Sequence, residues 1–122
     1  MRRFARNDNM DFGIIAEIKL ASPSAGDLVN KDQVLKIAQS YVDGGADAIS
    51  VITEKHFFKG DVSFIAQVKQ EVDLPVLQKD FVIDAFQIYQ AKQIGSDALL
   101  LIARLLDEEA LKIFVRLCLT LG

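Results

Sequence analysis

Two lysines stand where short apolar runs end: Lys19 after Ile14-Ile15-Ala16-Glu17-Ile18, and Lys79 after Pro75-Val76-Leu77-Gln78. An ammonium at the rim of an apolar layer has lost part of its water shell. That fits it either to give up a proton or to attract a carboxylate or phosphate. Both roles suit an anionic substrate. The competing explanation is that each lysine extends to solvent from a strand end, or pairs with Glu17 or Asp80. Two such lysines on alternate strands favour function. Glu17 lies two residues before Lys19, so strand alternation puts both on one face. The pair then belongs to a barrel interior, or is a salt bridge of structural value alone.

The connections around these residues add polar and aromatic groups. Residues 20–31 contain Ser22-Pro23-Ser24-Ala25-Gly26-Asp27 and form the longest connection, with the composition of an ordered, turn-rich loop. Such loops after barrel strands contact substrate, although a plain surface loop has the same composition. A P-loop is excluded, because its glycine spacing and Gly-Lys-Ser/Thr element are missing. In Thr53-Glu54-Lys55-His56-Phe57-Phe58-Lys59-Gly60 two aromatics require burial. Phe58, with Phe81, is placed to wall an aromatic ligand, and core packing explains the pair equally well. His56 has no second His or Cys at ligand spacing, so it is expected at the surface and no metal site is expected.

Four elements of one kind must position these groups. The runs Gly13-Ile14-Ile15-Ala16-Glu17-Ile18-Lys19, Asp47-Ala48-Ile49-Ser50-Val51-Ile52, Pro75-Val76-Leu77-Gln78-Lys79 and Asp97-Ala98-Leu99-Leu100-Leu101-Ile102 are short and nearly continuously apolar. They read as buried parallel strands. Helical spacing follows each: Val34, Ile37, Ala38, Tyr41 and Val42; Ile65, Val68 and Val72; a less periodic stretch over 84–95; then Leu111, Phe114, Val115 and Cys118. Asp32, Asp61, Asp84 and Asp107 stand where N-caps are wanted, and Gly44-Gly45, Gly95 and Gly122 where helices should end. Gly45-Ala46-Asp47-Ala48-Ile49 is echoed by Gly95-Ser96-Asp97-Ala98-Leu99, which makes two consecutive βαβα modules. This alternation demands right-handed crossovers and a parallel sheet, either closed into an eightfold barrel or open and doubly wound. In both, ligands bind beyond the carboxyl ends of the strands.

Composition narrows the classes further. With 122 residues, 51% hydrophobic and 25% charged, the chain has the make-up of one globular domain. A net charge of −3 without a basic stripe argues against nucleic acid as a partner. No run of about 18 apolar residues occurs, and MRRFARNDNM lacks the apolar stretch of a secretion signal. No membrane association is expected. The single cysteine, Cys118, has no partner for an internal disulfide, and its helical position predicts a buried, inert thiol. A reducing cytoplasm fits.

The motifs Glu17-Ile18-Lys19-Leu20-Ala21-Ser22-Pro23-Ser24, Thr53-Glu54-Lys55-His56-Phe57-Phe58-Lys59-Gly60, Lys79-Asp80-Phe81 and Asp97-Ala98-Leu99-Leu100-Leu101-Ile102-Ala103 resemble, in order and spacing, those of the indole-3-glycerol-phosphate synthases. The resemblance runs from Ile14 to Gly122, and E-x-K-x-x-S-P-S at a strand end is highly specific. It implies a TIM barrel of tryptophan biosynthesis, a lyase needing no metal or organic cofactor. The reaction converts 1-(2-carboxyphenylamino)-1-deoxyribulose 5-phosphate into indole-3-glycerol phosphate with loss of carbon dioxide and water. By the same resemblance Lys79 is the general acid at the ribulose carbonyl, and Lys19 engages the anionic groups of this small phosphorylated substrate. Glu17 belongs to their polar cluster, Ser22 lines the first loop, and Phe58, Phe81 and Leu100 pack the anthranilate ring. Phosphoribosylanthranilate isomerase, another phosphate-binding barrel, fits less well, because of the Ser22-Pro23-Ser24 loop and the Lys79-Asp80-Phe81 strand end.

The resemblance also implies a short extension over residues 1–12 and a (βα)4 half-barrel over residues 13–122 that stops before the fifth strand. The family's general-base glutamate, an asparagine and the phosphate-binding loops would lie beyond it. For such a half the expectation is absent or very weak turnover. Self-association through unpaired sheet edges is also expected; the alternative to the enzyme reading is a non-catalytic, self-associating half-barrel or an anion-binding scaffold.

Overall fold

The computed structural model describes residues 12–122, so the expected extension over 1–12 lies, apart from Phe12, outside the described residues. Apolar β-branched runs form strands here, and the central β4 is buried along its whole length. Four of them, β1 (Ile15–Ile18), β4 (Ala48–Ile52), β5 (Val76–Lys79) and β6 (Ala98–Leu99), make one parallel sheet in the order β1-β4-β5-β6. Helices α1 (Val34–Asp43), α2 (Ser63–Glu71) and α3 (Ala85–Ile94) connect them in turn, and α4 (Glu108–Leu121) follows β6. Chain order equals sheet order, which is the winding of a barrel wall rather than of a doubly wound sheet.

Alternation divides each strand between two faces. Ile18, Ile49, Val51 and Val76 pack with Val34 and Ala38 of α1 and with Phe64, Ile65 and Val68 of α2 in one core. Each such fully buried Ile or Val contributes about 1.5–3 kcal/mol relative to exposure. A second, smaller core joins Val82 and Ile88 to Phe114, with Leu117, Cys118 and Leu121 packed against it.

The echoed Gly-x-Asp segments have a shared structural cause. Gly45 and Gly95 take left-handed φ values of 93° and 99°, which turn the chain from helix back to strand. Asp47 then donates its N–H to the Ile14 carbonyl at 2.9 Å, and its Oδ2 accepts the Ile14 N–H at 2.8 Å. Asp97 repeats this against Val76, at 2.9 Å in both directions. Each repeat therefore clips the amino end of one strand to its neighbour.

Several local expectations shift. The connection over 20–31 contains a two-stranded ribbon, β2 (Ala21–Ser22) and β3 (Gly26–Asp27), paired antiparallel. The first helical segment begins not at Asp32 but after Asn30, whose N–H donates to Gln33 Oε1 at 3.0 Å; a 3-10 turn over Lys31–Gln33 leads into α1. Asp84 and Asp107 do cap their helices, accepting the N–H groups of Phe86 and Ala110 at 2.8 Å each. On α4 the buried face is Phe114, Leu117, Cys118 and Leu121, while Val115 is exposed. The Cys118 thiol is half-buried rather than enclosed, and burial raises its pKa. The fourth strand is shorter than its apolar run: Leu100 still donates its N–H to Gln78, but a 3-10 turn over Ala103–Leu105 soon follows. Among the described residues β6 has a ladder partner on one side only, so little holds its far end extended. Among the same residues no helix is long and apolar enough to cross a membrane.

Candidate active site

The carboxyl ends of β1, β4 and β5 bring together groups that are far apart in sequence. Register pairs Glu17 with Ser50 and Ser50 with Leu77, and pairs Ile52 with Lys79. Continuing β1 by one residue beyond the Ile18–Val51 pair puts Lys19 in the row of Ile52 and Lys79; continuing β6 beyond Leu99 puts Leu100 there too. Alternation places Glu17, Lys19 and Lys79 on the face turned away from the buried Ile18, Val51 and Val76.

On that face Lys79 Nζ lies 3.0 Å from Glu17 Oε1, and Ser50 Oγ donates to the same oxygen at 3.3 Å. Glu17 thus pairs with Lys79 across the intervening strand, not with its near neighbour Lys19. The pair is open to solvent on one side, with the lysine side chain 43% exposed and the glutamate 29%. Lys19 is half-buried. Asp80, the other anionic neighbour of Lys79, turns elsewhere. Its Oδ2 accepts the hydroxyl of buried Thr53 at 2.6 Å and its Oδ1 the N–H of Phe81 at 2.7 Å.

Next to Lys79 opens a small, apolar cavity of about 50 Å³ lined by Ile52, Glu54, Phe58, Lys79, Asp80, Phe81 and Ile102. The Phe58 and Phe81 rings meet edge to face, with centroids 6.3 Å apart and planes at 61°. Leu100 shares the sheet row with Lys79, but Ile102 rather than Leu100 lines this cavity. Phe57, grouped with Phe58 in sequence, is exposed instead, as is His56. A separate apolar hollow of about 110 Å³ between α3 and α4 includes Ser96, Asp97 and Ala98 at the amino end of β6, away from these groups.

The loops after β1 and β4 meet each other. Ser22 is buried, and its Oγ accepts the Ala25 N–H at 3.0 Å, so it shapes the turn of the β2–β3 ribbon. Lys59, in a left-handed conformation with φ 54°, reaches from the loop after β4 to Asp27 on β3. Gly60 packs directly on the end of β4, where a Cβ would sit 2.3 Å from the Ile52 carbonyl oxygen. Only glycine fits that approach.

Sequence reasoning missed Glu54. Its carboxylate is 6% exposed and accepts the N–H groups of His56 at 2.7 Å, Phe57 at 2.8 Å and Phe58 at 3.0 Å. Burial pushes its pKa up, but the hydrogen bonds from Phe57, His56 and Phe58, with the nearby His56 charge, outweigh this and leave it below the ordinary carboxylate value. The available signal was a glutamate two residues past the end of the buried strand β4, at the start of the turn whose N–H groups it accepts.

Consecutive strand–helix units wound in chain order define a parallel α/β barrel wall, with Glu17, Lys19 and Lys79 gathered at its carboxyl rim. The family profile described as indole-3-glycerol phosphate synthase matches residues 2–122, and the chain belongs to that family, whose fold is the TIM barrel. It is 50% identical over 110 residues to the indole-3-glycerol phosphate synthase of Acetivibrio thermocellus, covering 90% of this chain and 42% of that protein. With the enzyme of the same name from Caldanaerobacter subterraneus subsp. tengcongensis it shares 51% over 96 residues, 79% of this chain and 38% of the relative. The chain thus spans about two fifths of the length of these relatives. Among solved structures, the Amycolatopsis orientalis BexX/CysO complex superposes with a TM-score of 0.58 at 17% identity, over 71% of this chain and 38% of that one. That likeness concerns the fold alone.

Proposed function

We propose that this segment carries the acid side of indole-3-glycerol phosphate synthesis. In this reading Lys79 donates a proton to the carbonyl oxygen of 1-(2-carboxyphenylamino)-1-deoxyribulose 5-phosphate as the ring closes. Attack on that carbonyl develops oxyanion charge, which a fixed ammonium both neutralises and protonates. Lys19, in the same row, attracts the anionic groups of the substrate, and Ser22 belongs to the loop above it. Phe58 and Phe81, with Leu100 beside them, offer apolar surface to the anthranilate ring before carbon dioxide and water leave.

The observation that carries the reading is the Lys79 ammonium held 3.0 Å from Glu17 at the sheet's carboxyl rim and opening on the Phe58–Phe81 cavity. The test is the rate of indole-3-glycerol phosphate formation by the protein that bears this segment, with lysine or alanine at position 79. Loss of turnover on Lys79→Ala is expected. Undiminished turnover in Lys79→Ala would remove the proposal.

A second reading, in which the 122 residues self-associate as a scaffold, is favoured by the exposed Ile15 on β1 and Ile14 just before it, β1 being an outer strand of the described sheet. Because all four strands run parallel, a two-fold axis along the barrel direction would set β6 of one copy beside β1 of another in the same sense.

A further inference from the structure

The two aromatic side chains that wall the cavity share an unusual form of support. Phe58 receives its backbone anchor from Glu54 and Phe81 from Asp80, in each case through a carboxylate oxygen and the N–H of the aromatic residue itself. Glu54 is nine-tenths buried and has no ion pair among the described residues; its two oxygens serve three backbone donors, and its own carbonyl accepts the Gly60 N–H at 2.7 Å. A carboxylate enclosed in this way costs far more than a neutral group unless those bonds are kept. It therefore fixes the 56–58 turn in one conformation. Asp80 is held in turn by Thr53, which is 1% exposed and lies next to Glu54 in sequence. One dipeptide at the end of β4 thus controls both walls.

We propose that Glu54 and Asp80 are positioning residues that set the spacing of the Phe58 and Phe81 rings before a ligand arrives. The inference rests on the reading of the cavity as the seat of an aromatic ring. A preset slot spares the ligand the entropic cost of ordering its walls. Neither carboxylate needs to touch the substrate. Their removal should loosen the grip on an aromatic group while leaving the lysines' attraction for phosphate intact.

Glu54→Gln tests this, since it keeps side-chain size but offers one oxygen to three donors; Asp80→Asn makes the equivalent change on the other wall and serves if Glu54→Gln does not fold. The probes are the reduced, anthranilate-bearing substrate analogue and ribulose 5-phosphate, which has no aromatic ring. Inter-ring NOEs between Phe58 and Phe81 and far-UV circular dichroism are recorded alongside. With secondary structure retained, the ring NOEs should weaken and affinity for the aromatic analogue should fall about tenfold, while that for ribulose 5-phosphate stays within about twofold. Unchanged ring NOEs, or equal losses of affinity for both probes, would overturn the proposal. If the parent protein binds neither probe, the substrate reading fails by itself, and the ring NOEs alone then decide whether the carboxylates position the walls.

Discussion

Glu17 and Lys79, 62 residues apart in sequence, meet at 3.0 Å across strand β4. An ion pair this open to water contributes about 0–1 kcal/mol to stability. In the proposed chemistry its value is to aim an ammonium. Glu17→Gln is therefore expected to shift the denaturation midpoint by less than the equivalent of about 1 kcal/mol. Lys79→Ala should lower turnover by about 10²–10⁴-fold, the range typical of a lost general acid. Chemical denaturation and steady-state rates, measured on the same variants, check both.

Asp97 gives a pH prediction. Burial raises its pKa, but the Lys69 ammonium, bonded to Oδ2 at 2.6 Å, and the Val76 N–H outweigh that and hold it below the ordinary aspartate value. A carboxyl whose folded pKa is depressed stabilises the protein above its unfolded pKa, and this stabilisation is lost as pH falls through the folded pKa. Asp97→Asn is expected to cost about 1–3 kcal/mol near neutrality. The difference from the parent should shrink on acidification below the ordinary aspartate range. Denaturant midpoints across that range would reveal it; a gap independent of pH would contradict the assignment.

Gly60→Ala should destabilise by about 1–3 kcal/mol, because its Cβ would collide with main chain at Ile52 and Thr53 that no rotamer change can move aside. Thermal melts of the variant measure the cost.

Asp84 accepts the Phe86 N–H, while Gln87 Oε1 accepts the Ile83 and Asp84 N–H groups and Gln87 Nε2 donates to the Phe81 carbonyl. Asp84→Ala should cost about 1 kcal/mol, the usual worth of an N-cap. The same denaturation assay reads it.

For the 122-residue chain, the scaffold reading predicts a molar mass by light scattering that rises with concentration. A constant monomer mass would argue against it.

Much of the architecture was legible in the sequence, for physical reasons. Strands buried on both faces are nearly continuously apolar, so Ile49 to Ile52, broken only by Ser50, and Val76 to Leu77 were legible. Asp84 and Asp107 announced their helices because a cap is a local interaction. The partner of Glu17 was not legible, because i, i+2 proximity pointed to Lys19 whereas the pairing is set by sheet register. Glu54 escaped notice for a similar reason: an anion satisfied by main-chain donors leaves no charge complement to find. The face of α4 was misjudged by one position at Val115, since helical spacing allows two adjacent stripes and only the neighbouring α3 and β6 choose between them.

Ser96 donates to Gln78 at 2.7 Å, Gln78 to Thr53 at 3.4 Å, and Thr53 to Asp80, which holds Phe81. This polar seam begins at the floor of the sheet and surfaces beside the cavity, passing through side chains that are almost wholly enclosed at Gln78 and Thr53. Each member answers to the next, so exchanging one for an apolar isostere strands its neighbour's donor or acceptor. Drift along the seam must therefore proceed by matched exchanges, and a change made at the base of this wall is felt at its opposite end.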